Sequence, residues 1–167
     1  MSEVQFRIFV VHWEGPYKWA RRDRYIRDEH VLYAIHGTHP VYGRDVLLYI
    51  GMGAGGVKRR LDCHNKDWVD DEYDPVTVRL ASAGPFTDWR DWEVGERYPR
   101  PPADEVRHLE SLLILANQPA YNSAVKQGDL RSAGLTNLMI MNSGHFGQML
   151  PEVSFLYHRE TWQDTDA

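Results

Sequence analysis

Tyr49–His64 reads YIGMGAGGVKRRLDCH, and the interpretation of this stretch decides the fold. Gly51, Gly53 and Gly56 spell G-x-G-x-x-G between an apolar run and a cationic segment, the local grammar of a loop that wraps a dinucleotide pyrophosphate. A dinucleotide fold also needs a long apolar crossover helix after the third glycine, then a parallel strand ending in an acid for the ribose. Both are missing: the segment after Gly56 opens with Lys58, Arg59 and Arg60, and the next strand candidate ends in Ala81 and Ser82. The Walker pattern fails too, because Lys58 follows Val57 instead of glycine and precedes Arg59 instead of Ser or Thr. What remains is a tyrosine-bearing strand, a tight turn and a short helix with cations outward. Val57, Leu61 and His64 recur at i, i+4 and i+7, which predicts an amphipathic helix over 57–67. Arg60 and His64 project from the same side of it.

Working outward, VLLYIG (46–51) is a strand, GTHPVYGRD (37–45) a loop of turn formers, and HVLYAIH (30–36) a second strand, so the two are expected to pair antiparallel. VQFRIFVV (4–11) is another strand, and the basic segment 17–29 a short helix or an arm. On the other side, PVTVRLAS (75–82) is a strand, followed by a polar and aromatic excursion over 83–103 that reads as a surface loop. Pro101 and Pro102 with Asp104 and Glu105 mark a helix start, and Val106, Leu109, Leu113 and Ala116 supply its buried stripe until Gln118 and Pro119 end it. LTNLMIM (135–141) and EVSFLYHR (152–159) add strand or irregular structure around a second glycine-rich turn, NSGHFGQ.

At 167 residues and 43% hydrophobic, the chain holds one core and is expected to form a single domain over 1–167. A formal charge of -5 gives no global attraction to a polyanion, so a nucleic-acid partner requires a local basic patch. Two exist: Lys18, Arg21, Arg22, Arg24 and Arg27 near the N-terminus, and Lys58, Arg59 and Arg60 after the glycines. The lone Cys63 excludes an internal disulfide and a cysteine-built zinc site, and FRIFVVHW is too short to span a bilayer, so a cytoplasmic location is expected.

Glu110 lies roughly 80° from the centre of the apolar stripe at about 100° per residue, at the edge of the buried face. Such an acid is partly desolvated yet reachable. Asn122 follows Pro119 and Tyr121 at the helix exit and offers an amide to bridge backbone or side chains. Tyr33 and Tyr49 sit on the two neighbouring strands, where their phenols can meet on one face.

VLYAI (31–35), YIG (49–51), R-L-x-x-H (60–64), E-x-x-L-I (110–114) and P-x-Y-N (119–122) together resemble the GIY-YIG nuclease domain, in order and in their placement on strand, strand, helix and helix. The resemblance covers roughly 30–123, leaving an N-terminal strand and basic arm (1–29) and a C-terminal extension (124–167). It implies an α+β fold, with a small central antiparallel sheet flanked by helices and added N- and C-terminal strands. It also implies hydrolysis of DNA phosphodiesters with one divalent ion, Mg²⁺ or Mn²⁺, on Glu110. Tyr33 and Tyr49 then match the motif tyrosines, Arg60 the helix arginine, His64 the histidine of restriction-like members and Asn122 the supporting asparagine. Val31 stands in place of the motif's first glycine and Leu32 in place of its isoleucine, and the Tyr33-to-Tyr49 spacing is long.

The chemistry agrees with these residue types. A phosphodiester needs an activated water, neutralised charge and a stabilised leaving oxygen. One carboxylate suits a single hydrated magnesium, which keeps most of its waters. Arg60 holds phosphate with its planar fork. A phenol titrates near about 10, so Tyr33 serves as general base only if Arg60, Lys58 or the metal favours its phenolate, with Tyr49 and His64 orienting water or substrate. The reverse assignment of the tyrosines also remains open. Gly51, Lys58, Arg59, Arg21, Arg22 and Arg24 are candidate nucleic-acid contacts, with Trp19 and Tyr25 able to stack on bases. The tryptophans around 88–93 either pack an insertion onto the core or serve a protein partner. Cutting both strands with one site favours a homodimer. The alternative from another class is a catalytically silent nucleic-acid or protein-binding module on the same fold.

Overall fold

The computed structural model describes residues 5–63, 75–88, 98–122 and 135–156. These form strands β1 (Arg7–Lys18), β2 (Leu32–His39), β3 (Gly43–Met52), β4 (Thr77–Pro85), β5 (Leu138–Gly144) and β6 (Glu152–Ser154), and helices α1 (Val57–Cys63) and α2 (Ala103–Asn117). A 3₁₀ turn, Trp19–Arg24, occupies the basic segment. The fold is mixed α+β, but the sheet is larger than a small antiparallel core. Six strands run in the order β3-β2-β4-β1-β5-β6, and β1 and β5 are parallel.

The N-terminal strand is therefore not an addition at an edge. It is the longest strand and lies between β4 and β5. Its sequence explains the position: Phe9, Val10, Val11 and Trp13 are consecutive or near-consecutive and all buried, so both faces are covered, as only an interior strand allows.

The expected antiparallel pair is β2–β3, but its connection is shorter than the predicted 37–45 loop. The strands extend into that segment, with register shifts between Ile35 and His36 and between Gly37 and His39. The long tyrosine spacing is thus absorbed by longer hairpin arms.

Alternation along the strands sorts the core into two faces. Leu32 and Ala34 pack with α2 through Val106, Leu109, Leu112 and Leu113, all fully buried. Tyr33 and Ile35 pack with Val57 and Leu61 of α1 and with Val78 and Leu80. At about 1.5–3 kcal/mol for each fully buried aliphatic side chain, the α2 stripe is the main hydrophobic anchor of the helix. Helix α2 ends where Gln118 turns left-handed at φ 47°, its N–H still bonded to the Ile114 carbonyl. The helix predicted over 57–67 is described through Cys63; its remainder, His64 included, lies outside the described residues.

Candidate active site

Strand β3 is the edge of the sheet, so every second residue turns its backbone N–H and C=O outward, away from β2. Left bare, such groups are costly when buried. In this chain the candidate residues seal them. The Leu48 carbonyl accepts the Tyr121 N–H at 2.8 Å. Asn122 bonds Ile50 twice, its Oδ1 accepting the Ile50 N–H and its Nδ2 donating to the Ile50 carbonyl, both at 2.9 Å. One residue pair further, the Met52 N–H donates to Glu110 Oε1 at 2.9 Å. Asn122 thus acts as a one-residue strand, and Glu110 is oriented by the same edge. Asn122→Ala orphans a buried donor and a buried acceptor, so a loss of about 2–4 kcal/mol in urea unfolding is expected. A loss under about 0.5 kcal/mol would show that β3 needs no such seal.

Gly51 explains how two tyrosines share this corner. It lies opposite Tyr33 in the β2–β3 register, and a Cβ there would overlap the Tyr33 Cζ and hydroxyl and stand 2.8 Å from Tyr49 Cε1. The missing side chain is the space in which the rings lie, with centroids 6.0 Å apart and planes inclined by 23°. Gly51 is buried and faces the rings, which sets it apart from a nucleic-acid contact. Arg60 lies close enough to both phenols to favour their ionised forms, and each phenol acts on the other.

The phenols are not equivalent. Tyr33 is fully buried, and that burial, then the neighbouring Tyr49, pushes its hydroxyl well above the ordinary phenol value; Arg60 opposes this without prevailing. Tyr49 is half-buried and is also raised, by burial and then by Glu110. Arg60 therefore does not bring Tyr33, the first choice from sequence, down to the ordinary phenol value. Of the two hydroxyls, that of Tyr49 belongs to the residue that keeps contact with water.

Beside the phenols opens a cleft of about 460 Å³, walled by the Met52–Gly56 turn, Arg59, Arg60 and Glu110. Gly53 sits where any side chain would strike the start of α1, its Cβ position 2.5 Å from Val57 Cα, so the turn folds tightly against the helix. Two guanidiniums against one carboxylate make the wall net cationic, the sign that a phosphodiester requires.

Lys58 does not line the cleft. It pairs with Asp62 at 3.2 Å and Asp23 at 3.4 Å on the outer side of α1. Arg22 lies over the Trp19 ring, 4.2 Å from its centroid, and reaches Asp62 at 3.7 Å. Arg21 and Arg24 are exposed on the 3₁₀ turn and do not line the cleft. Tyr25 stacks on Tyr17 at 4.0 Å and both rings pack against the core, so the expected base platform is committed internally. Trp89 and Trp92 lie outside the described residues.

Arg100, from the polar excursion, was not anticipated. It donates to the Asp28 carbonyl at 2.6 Å and to the Ala54 carbonyl at 3.2 Å, fastening the glycine turn to the loop before β2. Nothing in its local sequence distinguishes it from its charged neighbours.

Among the described residues, no group of three or more His, Cys, Asp or Glu stands ready to cage a metal. The site fits a hydrated ion on one carboxylate: Glu110 is a hard oxygen donor, half-buried, held by Met52 and bordered by open space. No family model matches the chain, and searches among curated proteins and among solved structures return no match.

Proposed function

We propose that the chain is a GIY-YIG-type endonuclease that hydrolyses DNA phosphodiesters with one Mg²⁺ or Mn²⁺. The observation that carries this reading is Arg60, which lines the cleft shared with Glu110 and acts electrostatically on both phenols. The succession β2, β3, α1, β4, α2 supports it as well, being the order that the resemblance implies.

In this reading Arg59 and Arg60 hold the scissile phosphate, Arg60 with two parallel hydrogen bonds. Tyr49 orients the attacking water and, in its phenolate form, takes that water's proton and becomes the neutral phenol, while buried Tyr33 holds Tyr49 and Arg60 in place. Asn122 fixes the strand that presents Tyr49. Glu110 would hold the divalent ion, which when bound supplies charge neutralisation at the phosphate and a more acidic water. Such a monomer has one site, so duplex cleavage calls for a homodimer or two successive events. No described helix is long and apolar enough to cross a membrane.

A silent binding module is the second reading, favoured by the raised phenols and the burial of Tyr33. The two separate on supercoiled plasmid and labelled single-stranded, duplex and branched DNA, each with Mg²⁺, Mn²⁺ or EDTA. Cutting that EDTA abolishes is expected. A folded protein that shifts these DNAs in a gel yet leaves them intact with either metal is the silent module.

A further inference from the structure

On β4, Arg79 alternates with Val78 and Leu80 and so points away from the Tyr33 face. It is only 6% exposed, and its Nε and Nη1 have no hydrogen-bond partner. Beside it His36 is fully buried with neither ring nitrogen satisfied. The second glycine-rich turn closes over both: a Cβ on Gly147 would stand 2.9 Å from Arg79 Cζ and 2.9 Å from His36 Nε2. Arg79, Pro16 and Gly144–Gly147 wall an opening of about 280 Å³. The acid that influences Arg79 is Asp45, an exposed residue at the hairpin tip that makes no direct ion pair with it.

A buried guanidinium without a counter-ion is among the costliest arrangements in a protein, and an anion in the adjoining space offsets part of that cost. His36 does not line the opening, so the guanidinium selects the ligand: its planar fork takes two oxygens of one anion. A phosphate monoester, with close to two negative charges at neutral pH against a carboxylate's one, pairs with it more strongly. We infer that the pocket of Arg79 and the Gly144–Gly147 turn binds a phosphate monoester-class oxyanion, either free inorganic phosphate or the terminal phosphate of a nucleic-acid strand. This site is separate from the Arg60–Glu110 cleft and stands whether or not the chain cuts DNA.

The test follows the arginine Nε–H resonances of the ¹⁵N-labelled full chain, with the Arg79 signal assigned through Arg79→Lys. The titrants are inorganic phosphate, acetate, and a dinucleotide with and without a 5′-phosphate. A saturable shift of the Arg79 signal with phosphate is expected while exposed Arg21 and Arg24 barely move. Arg79→Met should weaken phosphate binding about tenfold or more, the loss of a charge-assisted hydrogen-bonded pair. Tighter binding of the phosphorylated dinucleotide than of phosphate identifies the strand terminus as the source; the reverse identifies the free anion. The inference is overturned if Arg79 responds no more than Arg21 and Arg24, if acetate moves it as strongly as phosphate, or if the unphosphorylated dinucleotide binds equally well. If Arg79→Met does not fold, the wild-type titrations decide alone.

Discussion

Glu110→Gln is expected to lower metal-dependent cleavage roughly a thousandfold, the several kcal/mol that a bound ion contributes, while leaving the fold nearly intact. The separation comes from the way Glu110 is held. Its Oε1 accepts the Met52 N–H at 2.9 Å, and a glutamine carbonyl accepts the same hydrogen bond with the same reach. Only the charge is lost, so the expected change in urea stability is within about 1 kcal/mol. Glu110→Ala lacks this virtue, since it also removes the cap on the edge of β3. A spectroscopic readout accompanies the kinetic one. Glu110 raises Tyr49, so in the glutamine variant this phenol should ionise at lower pH than in wild type, visible in the ultraviolet titration of tyrosinate. Cleavage at the wild-type rate by a well-folded Glu110→Gln would remove Glu110 from the chemistry.

Much of the site's cast was readable along the chain, because the relevant signals are local. The period of Val106, Leu109 and Leu113 placed α2 and put Glu110 at its rim, and the half-buried carboxylate on Met52 agrees with that angle. The pairing of Lys58 with Asp62 is also legible, since the two stand four residues apart on one helix. Other features depend on partners remote in sequence. That β1 lies inside the sheet depends on β4 and on β5, whose Leu138 pairs with Arg7 across most of the chain. That 37–45 is mostly strand was masked by its Gly, Pro and Asp content, which marks turns but does not say that bulges let the ladder continue past them. Asn122 was legible as a bridging amide but not as the cap of an edge strand, because edge status follows from strand order. Gly51 belongs to the motif, yet its physical reason is the Tyr33 ring across the ladder.

Acid should destabilise the chain well before its carboxylates titrate, and His36 should carry about one proton of that dependence. His36 is fully buried, and burial first, then the adjacent Arg79 guanidinium, holds its pKa down to about 3. In the unfolded chain it returns to about 6.5. Between these values the unfolded state binds the proton and the native state does not, so unfolding becomes more favourable as pH falls. The stability at stake is fully present above about pH 6.5, declines by up to about 1.4 kcal/mol per pH unit, and levels off below about pH 3. His12 and His30 are lowered as well, both by burial first, and add to the same slope. His36→Gln isolates one contribution: it stays polar, cannot take the proton, and should flatten the urea-stability profile between about pH 6.5 and about pH 4.5 by close to one proton. These measurements belong in a buffer without phosphate, because an anion beside Arg79 would offset the guanidinium field on His36 and shift its titration upward. A wild-type profile that is level from about pH 7 to about pH 5, or a His36→Gln profile as steep as wild type, would mean that His36 does not remain neutral in the fold.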